Sequence, residues 1–151
     1  MAKRGALWRN KRRPAVSLAD VIFPKDELGP AASEMRVADF IDEWVSAPYS
    51  RQKGDRKVII PGLKKLDEEC RKHFKKNFAD LTEEEKTAVC DVMAKGDHFF
   101  HAFTSISAGA YYSDPRCWKA LGYVGNVPSG GAFTSPPKEM LDQLGLKQTV
   151  E

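Results

Sequence analysis

His98 and His101 stand three residues apart beside Asp97, a spacing that brings two imidazoles to one side of a helix, and with the distant His73 they form a candidate metal-ligand set. They flank Phe99 and Phe100 in a segment that must pack, however, and no HExxH pair or carboxylate set accompanies them. Surface or hydrogen-bonded core histidines are the better reading. Gly122, Gly125, Gly130 and Gly131 suggest a phosphate cradle by composition. No strand precedes them and no Lys-Ser/Thr follows, so neither a dinucleotide fingerprint nor a phosphate loop fits, and a loop lying on a partner suits them better. Cys117 next to Trp118 has no histidine near it in sequence, which argues against an activated thiol. We therefore expect no catalytic, cofactor-binding or metal-binding residue in this chain.

The other two cysteines, Cys70 and Cys90, lie far apart with no CxxC pairing, against the short spacings of a structural zinc site. On adjacent helices they could be bridged in an oxidising compartment, but buried free thiols are the favoured reading. Net charge is +3, yet Lys3, Arg4, Arg9, Lys11, Arg12 and Arg13 give the first thirteen residues six cations and no acid, so the remainder sums to −3. An acidic body argues against nucleic acid as partner, because phosphate affinity rests on a basic face. We read residues 1–16 as a flexible basic arm and 17–151 as one helical domain. Arg12-Arg13 resembles a twin-arginine export signal, but Asp20 and Pro24 interrupt the apolar stretch such a signal needs. No run approaches the roughly 18 apolar residues of a membrane span.

Binding is the chemistry that remains. The stretch from Phe99 to Gly125 holds seven of the fifteen aromatic residues. Phe99, Phe100, Phe103 and Ile106 recur at helical spacing over 98–110 and predict a packed face. Beyond Gly109 that spacing lapses, and Tyr111, Tyr112, Trp118 and Tyr123 fall on a turn, a short helix and a loop. Rings with polar tips, together with arginine, dominate desolvated interfaces. We therefore expect Tyr111, Tyr112, Arg116, Trp118, Tyr123 and the loop to Phe133 to contact a partner. The alternative is that half of them close the domain's own core.

The preceding chain reads as scaffolding. Ser17 is positioned to start a short helix that Pro24 ends; Lys25 to Ala32 is a turn region. A helix is expected from about Ala31 to Ala47, with Val37, Phe40, Ile41, Trp44 and Val45 on one stripe, stopped by Pro48. The polar residues 49–57 predict a surface connection, followed by a long helix over about 60–77 that tolerates Pro61 only in its first turn. Thr82 and Glu85 make a capping box for a helix that Gly96 ends; Asp97 caps the Phe-rich helix; Asp114-Pro115 opens another, with Gly122 past its end. From Tyr123 to Pro137 a Gly/Pro-rich loop leads to a last helix carrying Met140, Leu141 and Leu144. Nothing alternates with period two for long, so the expectation is all-α, a single domain of about five to six helices with a long C-terminal loop.

In this order the segments resemble a known family. Ile22-Phe23-Pro24, then Asp26 to Glu34, then Val37 and Phe40-Ile41-Asp42 are similar to the opening of the gluconate 2-dehydrogenase subunit 3 family. Gly62-Leu63 with Leu66-Asp67 resembles the start of its long helix, and Phe78 to Thr82 its next helix cap. The Phe-rich helix to Gly109, Tyr111 to Pro115 and Leu121 to Gly125 resemble its most recognisable block, and the likeness covers roughly Leu18 to Gly131. The resemblance implies a non-catalytic small subunit of a membrane-associated or periplasmic dehydrogenase. Its partner would be a large FAD-dependent oxidoreductase of the glucose-methanol-choline type that oxidises a sugar or sugar acid and often passes electrons to a c-type cytochrome, placing FAD, and any haem c, in other subunits. The small subunit would support folding and export of the large one. Members commonly carry the twin-arginine signal, which this chain does not match, so the resemblance implies the periplasm while the N-terminus leaves the cytoplasm open. The competing readings are a stand-alone helical adaptor with a basic arm and a small metal enzyme built on His98 and His101.

Overall fold

In a computed structural model that describes residues 10–27, 29–123, 142, 143 and 145, the first element is a helix, α1, over Arg12–Ile22. It starts five residues before Ser17 and takes in the end of the stretch expected to be a flexible arm. The cause is tertiary. Arg12 reaches Asp39, Arg13 bonds Asp80 at 2.6 Å, and Ala15 is fully buried beside Leu18. Phe23 ends α1 just before Pro24, and the turn that follows is tied by Gly29 N–H to Asp26 Oδ1 (3.2 Å) and by Ala32 N–H back to the Phe23 carbonyl (3.0 Å).

The second helix, α2, spans Val37–Ser46, a later start than Ala31, because Arg36 takes a left-handed conformation (φ 57°) and breaks the turn before it. Val37, Ala38, Ile41 and Val45 face inward, as their spacing predicts. Ala47 is extended, as a residue before proline must be.

The largest departure from expectation is α3, which runs Ser50–Phe74. The polar residues 50–57 are helix, not a surface connection, and Pro61 lies inside the helix, where its ring removes the amide that would reach the Lys57 carbonyl. Side chains hold the early turns onto α2. Trp44 Nε1 donates to Asp55 (2.8 Å), Arg56 donates to the Val45 carbonyl, and the Arg51 guanidinium lies 5.5 Å from the Trp44 ring centre. These partners are two or three turns apart in sequence and leave no hydrophobic period to read.

A single 3-10 turn at Phe78–Asp80 follows, anchored by Phe78 N–H donating to the buried Asp67 carboxylate at 3.1 Å. Then α4, Glu83–Met93, begins with the expected capping box: Glu85 N–H to Thr82 Oγ1 (3.2 Å) and Thr82 N–H to Glu85 (2.9 Å). Asp97 caps α5, His98–Tyr112, by accepting from Phe100 N–H at 3.0 Å. Asp114 caps α6, Pro115–Leu121, and Gly122 ends it with φ 69°.

Among the described residues every element is helical, and the chain forms one all-α domain. The helices α2, α3 and α5 pack mutually, and α1 crosses α2 to reach the 3-10 turn and α4. The centre holds Leu18, Val37, Ile41, Ile59, Leu63, Phe78 and Phe103, all fully buried. Gly62 sets the closeness of α3 and α5, since a Cβ there would stand 2.1 Å from the Phe99 ring. Of the expected C-terminal loop and last helix, only Tyr123, at the start of the loop, and Asp142 and Gln143, in helix, are among the described residues, with Gly145 in a turn just beyond.

Candidate partner-binding surface

Tyr111 was expected on a turn, but α5 continues through Gly109 and carries it, with Phe99, Phe103 and Ser107, on a buried stripe of four-residue spacing. Only 4% of it is exposed. Its ring stacks on Phe23 (centroids 4.9 Å, planes 14° apart), and its hydroxyl donates to the Pro30 carbonyl at 2.9 Å. Burial pushes the phenol above its ordinary pKa, with Asp26 adding to the shift. A Cβ on Gly29 would lie 2.9 Å from that hydroxyl, so the turn at Gly29-Pro30 and the end of α5 are fitted to each other. Tyr111 thus serves the core and orients its neighbour.

Tyr112 turns the other way. Its ring is half exposed (49%) and meets Phe23 and Tyr111 edge-on at 5.9 and 5.4 Å. Trp118, on α6, donates its indole N–H to the Tyr112 carbonyl and packs edge-on against Tyr123 at 5.5 Å. Leu121 (51% exposed) and Tyr123 (45%) complete a surface with Tyr112 and Trp118 around the end of α5 and α6. Leu121, noted in the sequence only within the family-like block Leu121 to Gly125, was not among the expected contacts.

Arg116 is held, not loose. Asp114 accepts from its backbone N–H (2.8 Å) and from Nε and Nη2 (3.0 and 2.9 Å), while Nη2 also reaches the Glu34 carbonyl at 3.4 Å. That guanidinium keeps the Asp114 carboxyl below its ordinary pKa. The result is a short helix tied at its first turn to Asp114 and to the Glu34 carbonyl, with Trp118 and Tyr123 packed edge-on at its far end. Phe133, the sixth expected contact, lies outside the described residues, as do Gly125, Gly130 and Gly131.

A second aromatic patch went unrecognised. Phe40 stacks on Trp44 at 5.9 Å, the Arg51 guanidinium lies over the Trp44 ring at 5.5 Å, and Tyr49, in the link between α2 and α3, is 69% exposed. Phe40 and Trp44 were assigned to the core stripe; their spacing is right, but they lie on its edge.

The thiols are placed against reactivity. Cys117 is fully buried and burial raises its pKa; Cys70 and Cys90 are free and buried, pushed up to about 11 and about 12 chiefly by desolvation. His98 and His101 are exposed on the first turn of α5, and His73 stands 3.7 Å from Glu69 on α3. Among the described residues no three His, Cys, Asp or Glu side chains are grouped to hold a metal ion.

The family model described as gluconate 2-dehydrogenase subunit 3 matches residues 12–131, from the first residue of α1 to beyond α6. The chain belongs to the gluconate 2-dehydrogenase subunit 3 family. Membership identifies it as a subunit of a multi-subunit dehydrogenase and accounts for the continuous match across bundle and aromatic surface. No curated protein and no solved structure matches it. Among the described residues of this subunit, no helix is long and apolar enough to cross a membrane.

Proposed function

We propose that this member of the gluconate 2-dehydrogenase subunit 3 family is the non-catalytic small subunit of an FAD-dependent dehydrogenase of the glucose-methanol-choline type acting on a sugar or sugar acid. It stabilises and matures the large flavoprotein, which holds the FAD; haem c, where the complex has it, belongs to a further subunit. The observation that carries this reading is the ring surface of Tyr112, Trp118, Leu121 and Tyr123, braced by Tyr111 and Arg116, inside the span that matches the family. Rigid aromatic side chains lose little entropy on docking, and truncating one that is an interface hot spot costs about 2 kcal/mol or more.

Co-expression with the flavoprotein tests it. The intact subunit should co-purify with the flavoprotein and raise its soluble, FAD-loaded yield. Trp118→Ala with Tyr123→Ala should weaken co-purification at least about thirtyfold, the equivalent of about 2 kcal/mol. Assembly indifferent to both substitutions removes this interface. A flavoprotein that matures equally well without the subunit removes the function.

A further inference from the structure

Phe23 closes α1 and directly precedes Pro24, a neighbour that restricts its backbone dihedrals. Hydrogen bonds fasten it on both sides. Its N–H donates to the Ala19 carbonyl at 2.8 Å, and its own carbonyl accepts from Ala32 N–H at 3.0 Å. From this anchored backbone the side chain reaches the end of α5, where its ring lies flat on Tyr111 (centroids 4.9 Å, planes 14° apart) and edge-on to Tyr112 (5.9 Å, 87°). Tyr111 and Tyr112 meet edge-on at 5.4 Å, which closes a triad of rings.

The three rings are held unequally. Tyr111 is buried with its hydroxyl on the Pro30 carbonyl, and Phe23 is partly buried on a bonded backbone. Tyr112 is the last residue of α5 and is exposed, and among the described residues its hydroxyl makes no hydrogen bond. Its orientation therefore depends on the two rings it meets. An exposed side chain with several open rotamers gives up that freedom on docking. Edge-on packing against two anchored rings narrows the choice beforehand, and the electrostatic preference of aromatic pairs for this geometry is something an aliphatic side chain at position 23 does not supply.

We propose that Phe23 is a positioning residue of the ring surface: it orients Tyr112 and thereby strengthens the hold on the flavoprotein. Phe23 acts through Tyr112 and not as a contact of its own. This rests on the reading of the ring surface as the flavoprotein's docking site.

Competition for limiting flavoprotein tests it. Native and variant full-length subunits, distinguished by their tags, are co-expressed with the flavoprotein, and their ratio in the purified complex is divided by their ratio in the soluble folded pool. Phe23→Leu should lower the variant's share about two- to tenfold, the worth of an aromatic pair beyond its area. Tyr112→Ala should lower it by at least as much. In the Tyr112→Ala background, Phe23→Leu should bring no further loss, because its effect passes through the ring that is gone. A purely structural part for Phe23 gives the same loss in both backgrounds. Phe23→Met, a flexible filler with no ring plane, takes leucine's place if that variant yields too little soluble subunit. If the flavoprotein does not take up even the native subunit, the docking reading falls and this inference with it. An intact complex in which Phe23→Leu is neutral, Tyr112→Ala is neutral, or the two losses multiply overturns the role of Phe23 alone.

Discussion

Tyr111 and Tyr112 are adjacent, identical in type, and opposite in role. The first is sealed against Phe23 with its hydroxyl on the Pro30 carbonyl; the second carries its ring to the surface. Tyr111→Phe keeps the stacking area and leaves the Pro30 carbonyl without its donor, so it should lower the stability of the isolated subunit by about 1 kcal/mol, read as a shift of the urea midpoint at unchanged slope. Co-purification with the flavoprotein should survive it. A midpoint that does not move would mean that water replaces the lost bond at no cost. The sequence reading grouped the two tyrosines because residue type is the same for both, and type alone does not say which side of a helix faces the core. That depends on Tyr111 continuing the four-residue stripe of Phe99, Phe103 and Ser107 past Gly109, where a helix end was expected. Arg116 was legible as a functional-looking residue, yet its two partners, Asp114 and Glu34, make it a brace for α6.

Helix boundaries show where local signals suffice. Thr82 with Glu85, Asp97, and Asp114 with Pro115 all mark true starts, since a side chain that bonds an amide two or three residues on needs nothing from the rest of the fold. The starts of α1 and α3 were misplaced because their first turns lack side-chain caps and are secured from afar, by Asp39 and Asp80 in one case and by Trp44 and Val45 in the other. Between elements, the approach of α3 to α5 depends on one missing methyl group. Gly62→Ala gains about 1 kcal/mol of helix propensity, but its Cβ would overlap the Phe99 ring, and overpacking costs about 1–3 kcal/mol. We expect a net loss of up to about 2 kcal/mol in thermal or urea unfolding. Phe99→Ala in the same chain makes room for the methyl, so the double variant should lose less than the two single losses added together. Strict additivity would show that the two residues do not press on each other.

For the molecule as a whole, acid stability is governed by a few carboxylates. The Arg12 side-chain bond leads in holding Asp39 below its ordinary pKa, and Arg116 does the same for Asp114. A carboxylate depressed in the folded state contributes stability that is fully present above its unfolded pKa and is lost as pH falls through the folded value. Stability should therefore decline as pH drops below about 4. Asp42, raised by burial, works in the opposite sense and blunts the decline. In melting curves taken from pH 6 to pH 3, Asp114→Asn should flatten the slope on the acid side; an unchanged profile would show that Asp114 titrates alike in both states. On this scale the sequence by itself determined the helical class, the caps of α4, α5 and α6, and the family, because each follows from short-range spacing or from an ordered series of segments. Tertiary structure alone decided that α3 absorbs a polar stretch and a proline, and which rings point outward. Those outcomes depend on contacts between residues far apart in the chain, where burial and a few charged or aromatic pairs outweigh local preference.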